Sequence, residues 1–594
     1  MTKYFVCATN GNDNNDGNEM TPFKTIQHAA NLADKGDTVF VQPGIYRERI
    51  APVNKGSNKK PITFKSVEKH KAIVRGSIPW KPANIKNNIA QGSLNFDDFT
   101  DSSHIDGPNP FLIPLCVTPF KREGAPETKI KGLKGDPNMV YCLGQVFVND
   151  LLFKQCPYKS EMEKNKNSWF YDKTENQLYI NNVNDNDNIE ITNQRRLFAP
   201  HKRNLKYIVV DGFTFERCGN QYPNRFWTVK ENQQAGAVGT RSGKFWKIQN
   251  NIIRFANGIG VDWGNEGKLS DDLELGSNGK ATGSYKNIIT NNIICDNGAA
   301  GTAAFMANRF EFTHNIVERN NNLFFNGKQR WESAGVKMHR PKNSIICNNI
   351  VRNNYCHGIW SDEGAGKNSL FKNNIIINNE KSGIDFEIGR NTSGKVVNNI
   401  FYNNECGVRF ATSGGVLIAH NLFLQSKKCD IKTIIFKRGD KWDSLNVEIF
   451  YNLFAGSPKF IKFTPPDDTP KFLASRFLNY NTYFMNENDK KFQMKYDYKT
   501  KINMNLSEWQ ELFGLLNEKH GDEDSVIYEK NNIEFIDENN TYKLIVHLQE
   551  ILTTFDSNKL GSSEDYYNKE RNEKFIGGPF YTLNNDDVIN LNVD

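Results

Sequence analysis

Eight times this chain repeats a short turn of the form Asn-Asn-aliphatic or a close variant. The copies are Asn250-Asn251-Ile252-Ile253, Asn291-Asn292-Ile293-Ile294, His314-Asn315-Ile316-Val317, Asn348-Asn349-Ile350-Val351, Asn373-Asn374-Ile375-Ile376, Asn398-Asn399-Ile400-Phe401 and His420-Asn421-Leu422-Phe423, with Tyr451-Asn452-Leu453-Phe454 as the eighth. Counted at the second residue, the gaps are 41, 23, 34, 25, 25, 22 and 31. A base period near 22 to 25 with occasional loop insertions is the mark of a solenoid. Leucine-rich repeats share the period, but their leucine pattern is missing. Each unit instead carries short β-branched and aromatic runs separated by Gly and Asn, which are strands and turns. The fold class is therefore all-β, a right-handed parallel β-helix whose strands pair one coil apart at ~4.8 Å. Asparagine tolerates the left-handed backbone of such turns, and its amide can bond the next asparagine in the stack. These asparagines are structural.

The rest of the chain divides around the repeat. Residues 1–76 form a cap and the first coils. Tyr4-Phe5-Val6 is a strand, Asn10 to Gly17 a tight loop, and Thr21-Pro22 the start of a helix whose Ile26, Ala29, Ala30 and Ala33 cover the open end of the stack. Residues 77–196 lack the repeat and alternate as antiparallel strands at Val146-Phe147-Val148, Trp169-Phe170-Tyr171 and Gln177-Leu178-Tyr179-Ile180, an inserted β-sandwich. Residues 197–490 form the main β-helix, resuming at Tyr207 to Phe213. Residues 491–594 end the helix and close it, with a short helix at Ser507 to Leu512 and a closing strand at Ile576 to Phe580.

Within the main coils, glycine-led strings stack: Gly335-Val336-Lys337-Met338-His339, Gly358-Ile359-Trp360-Ser361-Asp362, Gly383-Ile384-Asp385-Phe386-Glu387, and one coil on Val408 to Ala411. Asp362 follows Asn349 by 13 residues, and Glu387 follows Asn374 by 13. Equal offsets in successive repeats predict that the two carboxylates are neighbours. Strand alternation sends Val336, Met338, Ile359, Ser361, Ile384 and Phe386 inward. It sends Lys337, His339, Trp360, Asp362, Asp385, Glu387 and Arg409 outward on one exposed strip. An earlier coil, Gly258 to Asp262, adds Asp262 to the same column.

A solvated polar face would explain any one of these residues. As a set they are harder to dismiss, because like charges opposite each other on neighbouring strands are unfavourable and such pairs concentrate at functional sites. Two carboxylates side by side are the acid/base and nucleophile pair of glycoside hydrolysis. Trp360 supplies an aromatic platform suited to a sugar ring, and Glu363 points into the turn.

Composition narrows the classes of function. Net charge is +7, from Lys+Arg 75 and Asp+Glu 68, with no basic block, so nucleic acid is not an expected partner. No apolar run reaches membrane-spanning length and no charged-then-apolar signal opens the chain, so no membrane is expected and the expected location is cytoplasmic. The ten cysteines have no metal-ligand spacing; they read as small buried residues of a reduced compartment. The acidic Asn10–Gly17 loop is a candidate for structural calcium, although Asn/Asp/Gly turns are commoner than calcium sites. No cofactor is required, and a homo-oligomer is left open.

The N-terminal block, Tyr4 through Pro43-Gly44-Ile45-Tyr46-Arg47-Glu48, resembles the large right-handed β-helix family of carbohydrate-active proteins. Within it the chain is most similar to glycoside hydrolase family 120, the β-xylosidases, over most of its length. The specific part is Trp331-Glu332-Ser333-Ala334-Gly335-Val336-Lys337-Met338-His339 with the Gly358 and Gly383 strings. The resemblance implies that Asp362 is the nucleophile and Glu387 the acid/base. It implies too that Glu332 and His339 bind sugar hydroxyls, with no metal among the site residues. Two departures lie beside the sugar pocket. The family commonly has Trp after the aspartate, where this chain has Glu363, and often Ser-His after the glutamate, where it has Gly389-Arg390.

The expected function is a retaining glycoside hydrolase acting on an oligosaccharide, with Lys337, Trp360, Asp385, Arg409 and Asp262 as further substrate contacts. Two alternatives stay open. A polysaccharide lyase would use Lys337 or Arg409 as base and calcium held by Asp362, Asp385 and Glu387. A non-catalytic β-helix would bind sugar without turnover.

Overall fold

The computed structural model describes residues 1–99, 109–115, 141–222, 236–265, 284–323, 332–363, 366–389, 393–434, 446–465, 476–496, 500–514, 521–538, 541–556, 563–571 and 574–591. The chain falls into two compact units, Met1–Phe305 with Arg319–Ser333 and Met306–Glu318 with Ala334–Asp594. Each is a stack of parallel coils, the β-helix expected from the repeat.

In the first unit one sheet runs through Lys3–Val6, Thr38–Val41, Ile62–Ser66, Ile208–Asp211, Lys247–Gln249 and Ile288–Thr290. Gly44–Tyr46, Ala72–Arg75, Thr214–Glu216, Ile252–Arg254 and Ile293–Cys295 form a second, and Val238–Gly239, Ile259–Asp262 and Ala300–Phe305 a third. The capping helix is Ile26–Leu32, and it buries Ile26, Ala29 and Ala30. It starts four residues beyond Pro22. The Thr25 side chain accepts from His28 N as its N-cap, and the residues before it are held by Asp13. That carboxylate accepts from Lys24 N and Thr25 N, both at 2.9 Å, and from Thr25 Oγ1 at 2.8 Å. The carboxylate of the acidic loop is thus bound to protein donors.

The insertion is two antiparallel groups of strands joined by one parallel pairing, between Leu151–Gln155 and Ser168–Asp172. Both groups bury side chains in one core, including Phe111, Phe153, Trp169, Leu178 and Ile191. It is fastened to the coils by ion pairs. Glu190 takes Arg217 at 2.7 Å, Arg47 at 2.7 Å and Arg75 at 3.1 Å, and Arg75 also reaches Glu216 at 2.6 Å.

In the second unit the repeat supplies three sheets from each coil. The two residues of each Asn-Asn turn have different tasks. The first takes the left-handed backbone, with φ 56° at Asn348, 55° at Asn373 and 56° at Asn398. His314, His420 and Tyr451 occupy that position in the variant copies, also at positive φ. The second builds a buried ladder. Asn315, Asn349, Asn374, Asn399, Asn421 and Asn452 each donate both a backbone N–H and a side-chain Nδ2 to the Oδ1 of the next member, at 2.9–3.2 Å. A second ladder runs five residues later, Asn354 to Asn379 to Asn404, and continues as Ser426 to Ser457. Inside, Phe401, Phe423, Phe454 and Tyr483 stack at 4.8, 5.0 and 5.2 Å.

Past residue 490, in the segment expected to end the β-helix, the strand Val526–Tyr528 still pairs with Thr482–Phe484. The ladder carries on without asparagine, because Asn481 donates its N–H to Ser525 Oγ at 2.8 Å and its Nδ2 to Asp522 Oδ1 at 3.1 Å. The segment Ile576 to Phe580 is not a strand. The C-terminal stretch runs back along the second sheet instead, where Ile533, Phe535, Leu544 and Val546 bury against Ile375, Ile377, Ile400 and Leu422. That cover explains why Ile375, Ile376 and Ile377 are all buried, on both faces of one strand.

Candidate active site

The third sheet of the second unit carries the glycine-led strings as strands Ala334–His339, His357–Asp362, Ser382–Glu387 and Cys406–Ala411. A Cβ on Gly358 would stand 2.7 Å from Gly383 O, and one on Gly383 would stand 2.8 Å from Gly407 O. Only glycine lets the coils close to this spacing, and this fixes the register of the following residues. One column is Lys337, Trp360, Asp385 and Arg409; the next is His339, Asp362, Glu387 and Ala411. Asp362 and Glu387 are direct partners on adjacent parallel strands.

Each strand ends in a residue at positive φ, Arg340 57°, Glu363 47°, Ile388 55° and Thr412 55°. Glu363 N then donates to Glu387 O at 2.8 Å, and Arg340 N to Asp362 O at 2.8 Å. A left-handed β-branched residue is strained, and Ile388 sits directly after Glu387. The two carboxylates therefore project from the last residue of a strand, immediately before a sharp turn.

The strip expected to face solvent is largely buried. Lys337 and Asp385 are fully buried, Asp362 is 5% exposed and Trp360 6%. Trp360 is accordingly no open platform. Lys337 Nζ lies 3.2 Å from the centre of its ring, a cation–π contact, and the His357 ring lies 5.0 Å from it. Only Glu387 of the carboxylate group is partly exposed.

Burial on this scale needs internal charge partners. Lys337 Nζ is 2.8 Å from Asp362 Oδ2. Arg409 Nη1 is 2.5 Å from Asp385 Oδ2, and His357 Nδ1 is 3.6 Å from the same oxygen. Burial pushes the Asp385 carboxyl up to about 7. Arg409 opposes that shift, and the neighbouring Glu387 adds to it. His339 Nε2 lies 3.8 Å from Asp362 Oδ2 and 3.4 Å from Glu363 Oε2. Burial, then the nearby Lys337 charge, lowers its pKa to about 3, so the ring is neutral at pH 7. Glu363 is held in the turn by Arg340, whose Nη2 and Nε donate to its two carboxylate oxygens at 2.6 and 2.8 Å. Asp362 Oδ1, Asp385 Oδ1 and Trp360 Nε1 have no hydrogen-bond partner among the described residues. Two acceptors and one donor are thus left over beside the carboxylate pair, a set that a polyhydroxylated ligand satisfies.

The structure brings together seven of the nine expected site residues, Lys337, His339, Trp360, Asp362, Asp385, Glu387 and Arg409. Asp262 and Glu332, both buried, belong to the other unit. Trp331 and Arg390 lie outside the described residues. His357 is a neighbour that sequence reasoning missed. It occupies the position before the string glycine, where the next coils carry Ser382 and Cys406, so nothing in the repeat pattern marked it.

Comparison with known proteins agrees with this architecture. Residues 235–423 match the model of a right handed beta helix region, and residues 9–53 match a family of unknown function, DUF1565. The fold defined here is a right-handed parallel β-helix. Among solved structures, XylC in complex with xylose covers 99% of this chain and 100% of its own, with a TM-score of 0.72 at 18% identity. That likeness extends the shared fold over nearly the whole length. YwoF, an uncharacterized protein of Bacillus subtilis (strain 168), is 32% identical over 108 residues, 17% of this chain and 23% of YwoF. The match therefore spans under a quarter of that relative.

Proposed function

We propose that this chain is a retaining glycoside hydrolase of β-xylosidase type, with Asp362 as nucleophile and Glu387 as acid/base. The observation that carries the reading is the register that makes Asp362 and Glu387 partners on neighbouring parallel strands. Such strands stand ~4.8 Å apart, and side chains leaning the same way keep the carboxyl groups at roughly 5 to 6 Å. Retaining enzymes use about 5 to 5.5 Å, and inverting ones about 6.5 to 9.5 Å. Asp362 is buried, with Lys337 Nζ 2.8 Å from its Oδ2. Glu387 is the more exposed of the two and so has access to the leaving oxygen and to water. Asp362 attacks the anomeric carbon while Glu387 protonates the departing oxygen; Glu387 then deprotonates the water that releases the sugar. Neutral His339 and the unpartnered Trp360 Nε1 can each donate one hydrogen bond to a sugar hydroxyl. The 18%-identical XylC, solved with xylose, supports testing xylosides first.

The lyase alternative is disfavoured by the state of its two candidate bases. Lys337 is ion-paired with Asp362 beneath the Trp360 ring, and Arg409 is paired with Asp385. A base held as a cation cannot take a proton.

The test is hydrolysis of aryl β-xylosides by the wild-type chain and by Asp362→Ala and Glu387→Ala. Each substitution should remove most turnover; Asp362→Asn, which keeps a polar partner for the buried Lys337, takes the place of Asp362→Ala if that variant does not fold. The Glu387 variant should be partly rescued by azide or by substrates with good leaving groups. Wild-type turnover by either variant overturns the assignment.

A further inference from the structure

The first unit holds a cavity of about 550 Å³ between the insertion and the coils. Its walls include Tyr141, Gln145 and Trp169 from the insertion, and Phe255, Asn257 and Asn322 from the coils. We infer that this cavity is a second carbohydrate-binding site, for an uncharged mono- or disaccharide, separate from the carboxylate pair.

The polar groups carry the argument. Gln145 is 2% exposed. Its Oε1 accepts from Thr192 Oγ1 at 3.5 Å, while its Nε2 has no partner among the described residues. On the coil side, Asn322 Nδ2 donates to Asp296 O at 3.0 Å, and its buried Oδ1 has no partner among the described residues. One donor and one acceptor are each fixed from the far end of their amide and left unused. A buried polar group without a partner costs about 1–3 kcal/mol, so each calls for a ligand atom. A sugar hydroxyl donates and accepts, and it satisfies both kinds.

The apolar surface fits the same ligand. Trp169 is held by its Nε1 bond to Phe153 O at 3.1 Å, and Phe255 packs edge-on to Phe147 at 5.9 Å. Phe255, half-buried, is the ring that can pack on the C–H face of a pyranose, with the buried Trp169 as rigid backing. The volume lies within the roughly 300–1,000 Å³ of small-molecule pockets. Lys154 is the single charged side chain of the described lining and it is exposed, which argues for a neutral sugar. Its lining shares no residue with the strands that carry Asp362 and Glu387.

The experiment is ligand-observed NMR and calorimetric titration of the full chain with xylose, arabinose, glucose and xylobiose. The proposal expects at least one of these to bind with an affinity that Gln145→Leu and Phe255→Ala each lower tenfold or more. Thermal melting should stay near wild type, and so should turnover at Asp362 and Glu387. Asn322→Leu, in the part of the lining that the coils supply, gives a second arm if Gln145→Leu does not fold. Absence of binding by all four sugars overturns the site, as does binding that folded variants leave unchanged; the cavity then holds only water. Sugar binding that depends on Gln145, in a chain that hydrolyses no glycoside, would leave this site standing while the hydrolase reading fell.

Discussion

Truncating Asn374 to alanine tests whether the asparagine ladder is what fixes the coils. The side chain is fully buried. Its Oδ1 accepts from Asn349 N at 3.1 Å and Asn349 Nδ2 at 2.9 Å, and its Nδ2 donates to Ile346 O at 3.0 Å and Asn399 Oδ1 at 2.9 Å. Alanine removes all four bonds. Two of the partners keep others: Asn349 Nδ2 still reaches Phe312 O and Cys347 O, and Asn399 Oδ1 still accepts from Asn374 N. The Asn349 N–H loses the one acceptor described for it. An orphaned buried N–H costs about 1–3 kcal/mol, and three further neutral bonds roughly 0.5–1 kcal/mol each, which together give about 2.5–6 kcal/mol. A solenoid opens locally rather than all at once, so the assay is hydrogen exchange by mass spectrometry over peptides spanning residues 345–355. At tenfold per ~1.4 kcal/mol, exchange there should quicken about 60-fold or more. Lys395→Ala, at an exposed position of the next coil, should leave stability within about 0.5 kcal/mol. Exchange in Asn374→Ala within threefold of wild type would refute the reasoning.

Gly383→Ala should cost about 1–3 kcal/mol by overpacking, since its Cβ would press on Gly407 O. Turnover should fall with it, and chemical denaturation together with kcat reads both. His339, neutral in the fold and held near pKa 3 against 6.5 in the unfolded chain, makes the unfolded state bind the extra proton as pH falls. Stability should therefore drop from pH 6.5 towards pH 3, by up to about 4 kcal/mol. His339→Gln should flatten that slope in denaturation midpoints taken at pH 7 and pH 4. Hydrolysis should retain the anomeric configuration, and proton NMR of the first-formed sugar reads this directly. An inverted product would mean that Asp362 and Glu387 are not the reacting pair.

What was legible in the sequence was whatever the coil period repeats. Asn349 and Asn374 mark equivalent points, so equal offsets gave the Asp362–Glu387 register. The second ladder escaped notice because its position changes from Asn404 to Ser426 and Ser457; beyond the change a hydroxyl stands in for the amide oxygen, Ser457 Oγ accepting from Ser426 N. Past residue 490 the first ladder likewise changes letters, with Asp522 and Ser525 taking the place of asparagine as partners of Asn481. Exposure was misjudged because strand alternation says which way a side chain points and not what lies over it. Lys337 points outward from the coil and is still fully buried. The uninterrupted Ile375-Ile376-Ile377 run was the available sign that one outward face is covered.

The coil spacing also acts as a ruler with coarse divisions. Loops between the asparagine turns vary from coil to coil, yet every coil returns to the same register, so loop length does not touch the gap between partners in a column. That gap comes only in whole strands, ~4.8 Å or ~9.6 Å. Ala411 stands next to Glu387 in the Asp362 column, on the far side from Asp362. Moving the carboxylate there, by Glu387→Ala with Ala411→Glu, takes the separation in a single step from the spacing of a covalent mechanism to about that of direct water attack. A fold of this kind can change stereochemical outcome by relocating one side chain by one coil, with no change of backbone.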